Sequence, residues 1–167
     1  MGFTDGIDFW CIADDKKVYC FYSAQDGSKI IKSRSTLITD FPYKWSTAVI
    51  TATETFEAPH VYKNKSDNKY YMMVEDIAGH FELWQAKSLD GSWTKINEKW
   101  ASKATLTETK EHWTDQVSHG EILRAGVNEK CEIDDINKCQ ILIQGVVNGT
   151  YSGYETIPYE LGMIKNY

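Results

Sequence analysis

From Phe9 onward the chain repeats one local grammar: a short run of aromatic and β-branched residues, a polar turn, then another short run. FWCIA, Asp-Asp-Lys-Lys, VYCFYSA, Gln-Asp-Gly-Ser and KIIKSRS read as a three-stranded meander. A second copy follows in APHVYK, NKSDN, KYYMMVED, IAG, HFELWQAKS, Leu-Asp-Gly-Ser and WTKI. The third is GEILRA, a loop holding Cys131 and Asp134-Asp135, CQILIQGVV, Asn-Gly-Thr and YETIPYELGMI. Each copy predicts an antiparallel sheet of a few strands, and the chain is all-β. Sheets of this size in series are what propeller blades look like, although their uneven spacing also suits a β-sandwich.

The 167 residues suffice for one domain with a sizeable core, and no long apolar-periodic stretch marks a helix. A net charge of −6 argues against nucleic acid and anionic membranes, which require a basic face. No window is apolar enough to span a bilayer, and MGFTDGIDFW lacks the basic and apolar regions of a signal peptide. Asn64-Lys65-Ser66 and Asn148-Gly149-Thr150 match the N-glycosylation pattern. The cysteines fall into two close pairs, Cys11/Cys20 and Cys131/Cys139. A two-residue turn at Asp15-Lys16 sets Cys11 opposite Cys20, compatible with a cross-strand disulfide or with two buried thiols. Neither pair has the spacing of a zinc site.

Asp8 in GIDFW, Glu57 in FEAPH and His119 in VSHGE each stand at or just before the first strand of a copy. One such acid alone is a solvated turn residue. Three ionisable groups in one slot of a propeller converge on the central channel. Paired carboxyls are what glycoside hydrolysis needs, one to protonate the leaving oxygen and one to activate water or attack the sugar. A neighbouring negative charge keeps the acid protonated near neutrality.

Five stretches, GFTDGIDFWCIADDKKVYCFYS, FEAPHVYK, SLDGSW, WTDQVSHGEI and YETIPYELG, resemble in order the catalytic domain of glycoside hydrolase family 62. The resemblance implies a secreted, inverting α-L-arabinofuranosidase that removes arabinose side groups from arabinoxylan on a five-bladed β-propeller. It covers roughly the last three blades, so residues 1–167 read as a single, N-terminally truncated domain, with Met1 falling inside it. By matching motif, Glu57 resembles the general acid and Asp8 the acid that tunes its pKa. His119 resembles a channel histidine beside a calcium ligated mainly by water, and Tyr154 a tyrosine of the substrate cleft.

Departures from the family pattern are Glu155, where asparagine is usual, and GHFELW, where arginines are usual. No residue matches the family's general base, an aspartate of the first blade, so the chain alone is expected to be inactive. Other readings are a lectin-like protein stacking sugars on Trp84, Trp93, Trp100 and Trp113, or a family 43 type arabinanase or xylosidase.

Overall fold

The computed structural model describes residues 2–105 and 112–165; Met1 and its place in the domain lie outside the described residues. Among the described residues, twelve strands form three sheets. The first holds β1 (Gly6–Ala13), β2 (Lys17–Ala24), β3 (Ile30–Leu37) and β4 (Val49–Thr53) in chain order. The second holds β5 (Glu57–Asn64), β6 (Tyr70–Asp76), β7 (His80–Ala86) and β8 (Thr94–Ala101). The third holds β9 (Ser118–Ile122), β11 (Gln140–Gly145) and β12 (Glu160–Lys165). Helical segments among the described residues are three-residue turns, and none is long and apolar enough to cross a membrane.

The hairpins form where the turn chemistry dictates. Asp14 accepts the amides of Lys16 and Lys17 through Oδ1, both at 2.7 Å, closing the β1–β2 turn about Asp15 and Lys16. That turn fixes the register, and Cys11 does pair with Cys20. Their thiols are free, as are those of Cys131 and Cys139. Asp67 similarly organises the β5–β6 turn, accepting from the Lys69 amide and from the Tyr71 hydroxyl.

Three features depart from the expected meanders. The short β-branched run at Val49–Thr53 adds a fourth strand to the first sheet. The long loop after β9 folds back on the second sheet, where β10 (Glu132–Ile133) pairs parallel with the end of β5. YETIPYELGMI is not one strand: Tyr154–Thr156 form a 3-10 turn and β12 begins only at Glu160. Pro158 has no amide for a ladder, which keeps this stretch a loop until beyond it.

The sheets stand side by side, β5 packing against β1 and β2 of its predecessor. Phe21, Tyr62, Met72, Met73, Phe81 and Ile141 fill the core between them. Side chains cross each seam to backbone groups of the next sheet. Trp10 Nε1 donates to the Val61 carbonyl at 2.9 Å, and the Tyr62 hydroxyl accepts the Ile122 amide at 3.1 Å. Three sequential sheets stacked this way are propeller blades, not the two opposed layers of a sandwich.

Candidate active site

The first strand of every sheet is interrupted near its start. Register slips by one residue between Ile7 and Trp10, between Glu57 and His60, and beside His119. These are β-bulges, which re-aim side chains at the end of a strand. In the first two bulges Asp8 (φ 54°) and Ala58 (φ 55°) occupy the left-handed region, which non-glycine residues rarely enter. The slot is therefore not strictly shared: Asp8 and His119 are bulge residues, whereas Glu57 stands one place earlier, level with Ile7 and Ser118. The three nevertheless lie within electrostatic reach of one another.

Two buried acceptors hold the bulges in place. Ser23 donates its hydroxyl to Asp8 Oδ2 at 3.4 Å and accepts the Ala58 amide at 3.0 Å, joining Asp8 to the backbone beside Glu57. Glu75 lies opposite Glu57 in the β5–β6 ladder and reaches into the third sheet. Its Oε1 accepts from the Ser118 hydroxyl at 2.7 Å, and its Oε2 accepts from the His119 amide at 2.9 Å and pairs with His119 Nδ1 at 2.8 Å. The motifs did not single out Ser23 or Glu75. Glu75 was within reach, since a hairpin closed at Asp67 sets it across from Glu57.

Partial burial raises the Glu57 carboxyl above the ordinary range, and the charges of Asp8 and Glu75 push it the same way, against an opposing pull from His119. The hydrogen bond to Glu75 raises the His119 imidazole. His60, desolvated and stacked on Trp10 with centroids 4.4 Å apart, is pushed down to about 4. His119 is exposed and Asp8 and Glu57 partly so, which opens the cluster to solvent. Tyr154 is 84% exposed in the β11–β12 loop. Tyr159 of the same loop lies within electrostatic reach of Glu75, which sets that loop beside the cluster.

With Nδ1 facing a carboxylate, His119 keeps Nε2 for an outside partner, the usual arrangement of a metal-binding histidine. It fits as a single ligand. Both Glu75 oxygens are engaged, and among the described residues no cluster of three His, Cys, Asp or Glu side chains gathers to hold an ion. Calcium there would take its remaining oxygens from water.

Trp84 is buried, and Trp93, Trp100 and Trp113 pack against the core, so the residues assigned to a lectin-like sugar platform serve the fold. Asn64 is also buried and fully engaged, accepting the Ile136 amide at 3.0 Å and donating to Ser66 and Asp67. A glycan there is incompatible with the fold. Asn148 is exposed in a turn.

Propeller blades whose bulged first strands bring two carboxyls and an imidazole together define a glycosidase-type β-propeller. The chain belongs to glycosyl hydrolase family 62, whose model matches residues 2–165. It is 35% identical over 173 aligned positions to α-L-arabinofuranosidase C of Cellvibrio japonicus, covering 95% of this chain and 27% of that protein. The catalytic domain of a Coprinopsis cinerea family 62 α-L-arabinofuranosidase superposes with a TM-score of 0.87 at 26% identity, over 96% of this chain and 54% of that one. The Podospora anserina α-L-arabinofuranosidase, solved in complex with cellotriose, gives 0.86 at 32% identity with the same coverage of 96% and 54%. The chain thus spans about half the length of the solved relatives.

Proposed function

We propose that this chain carries the acid side of an inverting α-L-arabinofuranosidase that removes arabinofuranosyl groups from arabinoxylan in the extracellular space. The observation that carries the reading is the Glu57 carboxyl, partly buried beside Asp8 and Glu75, with its pKa raised by that burial and by their charges. A carboxyl that holds its proton more tightly in this way is suited to donate it to the departing xylan oxygen. Asp8 tunes that proton through its charge, and the shared Ser23 hydroxyl fixes its distance from the Glu57 backbone.

Tyr154, solvent-exposed on the loop that carries Tyr159 within electrostatic reach of Glu75, contacts the polysaccharide. His119 would offer Nε2 to calcium, with water completing the ion's shell. Inversion also requires a base on the opposite face of the sugar. No residue of this chain matches that base, so water activation is assigned to an aspartate outside it.

The test is release of free arabinose from arabinoxylan and from linear arabinan. The chain is assayed alone and after reconstitution with the part of the Podospora anserina enzyme that it does not match. Release only from the branched polymer, only after reconstitution, and abolished by Glu57→Ala supports the reading. Release by the isolated chain contradicts the assignment of the base. Binding of arabinoxylan with no release under either condition supports a lectin.

A further inference from the structure

The seam between the first two blades changes character on its way outward. On its inner strands it is apolar, with Phe21 and Tyr62 both at 0% exposure. Residues opposite one another in a ladder share a face, so Ser33, paired with Phe21, and Ser35, paired with Tyr19, continue that face onto β3. There it carries hydroxyls, where the interior of a seam calls for aliphatic groups. Thr51 on β4 extends the polar surface by donating to Ser33 Oγ at 2.9 Å, which leaves the Ser33 hydroxyl its own proton to donate. The sheets part here into a groove of about 540 Å³. Ser33, Ser35 and Thr51 wall one side, and the β7–β8 loop from Leu89 to Trp93 walls the other.

Trp93 supplies the second observation. Its ring packs edge-on to Phe21, with centroids 5.6 Å apart, and serves the core. Its Nε1–H is buried with no hydrogen-bond partner among the described residues. An indole N–H can only donate, and leaving it unpaired in the interior costs free energy, so it calls for an acceptor that the chain does not supply. The charges of the groove are already engaged. The Arg34 guanidinium binds Asp5, the Tyr22 hydroxyl and the Ser46 carbonyl, and Asp90 lies 4.0 Å from Lys17. The groups left for a ligand are uncharged: three hydroxyls and an indole N–H, beside the exposed Val49 and Ile50. Hydroxyls next to apolar carbon are what a neutral sugar presents in return.

We propose that this groove between the outer strands of the first blade and the β7–β8 loop binds a short, neutral segment of polysaccharide. A sugar oxygen accepts from Trp93 Nε1, and sugar hydroxyls exchange hydrogen bonds with Ser33, Ser35 and Thr51. It is a holding site and not a reacting one, since none of Asp8, Glu57, Glu75 or His119 lines it. A second point of attachment keeps the polymer on the protein and raises the local concentration of its side groups at the Glu57 cluster. That consequence rests on the proposed activity, whereas binding in the groove does not.

The test titrates the nitrogen-15-labelled chain with xylotriose, with arabinotriose and with inorganic phosphate. It follows the NMR signal of the Trp93 indole N–H, identified by its absence from Trp93→Phe. A saturable shift with a neutral oligosaccharide and none with phosphate is expected, and the sugar bound more tightly identifies the polymer held. Thr51→Val keeps the shape and removes the hydroxyl, so it should weaken the binding about threefold or more, as for loss of one hydrogen bond. Ser35→Ala gives the same reading if Thr51→Val alters the circular dichroism spectrum. No shift with either sugar, a shift with phosphate as large as with sugar, or an affinity indifferent to both substitutions overturns the proposal. Binding is read without turnover, so failure to release arabinose leaves the groove standing, and a groove that binds no sugar leaves the proposed activity standing.

Discussion

Glu75 Oε2 receives both the backbone amide of His119, at 2.9 Å, and its ring nitrogen Nδ1, at 2.8 Å. One buried carboxylate oxygen thereby sets the position of the bulge and the orientation of the imidazole it carries. The carboxylate comes from the second blade and the imidazole from the third, so the site is assembled across a seam.

Removing this carboxylate leaves the Ser118 hydroxyl and the His119 amide without acceptors. Glu75→Ala is expected to destabilise the chain by about 3 kcal/mol, in the range for breaking a buried, charged hydrogen-bond network. Urea denaturation checks it.

Ser23 makes the matching contact between the first two blades. Ser23→Ala deprives the buried Ala58 amide of its acceptor and should cost about 1–3 kcal/mol in the same measurement. Ser23→Thr, which keeps the hydroxyl, should lose less if the added methyl is accommodated.

Asp8→Asn removes a negative charge that raises the Glu57 carboxyl. The Glu57 pKa should fall, measured by NMR titration of its side-chain carboxyl carbon. In an active enzyme the same change moves the alkaline limb of the pH profile to lower pH, because the acid loses its proton sooner. An unchanged Glu57 titration would separate the two groups.

His60 titrates near 4 in the folded chain, against an ordinary value near 6.5. Between these values the unfolded chain binds more protons, so stability falls as pH drops from about 6.5 towards 4. His60→Gln should flatten that part of the stability profile, measured by denaturation across the window.

The strands were legible because turn and strand residues alternate so plainly; even the pairing of Cys11 with Cys20 follows from one turn. β10 was not legible, since two residues pairing parallel with a distant strand leave no local pattern. The cluster of Asp8, Glu57 and His119 was read from a common position at the starts of the first strands. The bulges that place Glu57 one residue away from the Asp8 position depend on backbone dihedrals, which the side chains do not announce. Ser23 and Glu75 escaped because their roles depend on which blade stands next to which. Burial of Asn64 was hidden for the same reason: its partner Ile136 comes from a distant loop.

The central claim is that Glu57 protonates the leaving group. The most direct test compares the reconstituted protein and its Glu57→Gln variant on arabinoxylan and on 4-nitrophenyl arabinofuranoside, whose leaving group departs without a proton. The account predicts a loss of about a hundredfold or more on arabinoxylan, in the range for general acid catalysis, with the activated substrate far less affected. Equal losses on both substrates, or no loss on arabinoxylan, would contradict it.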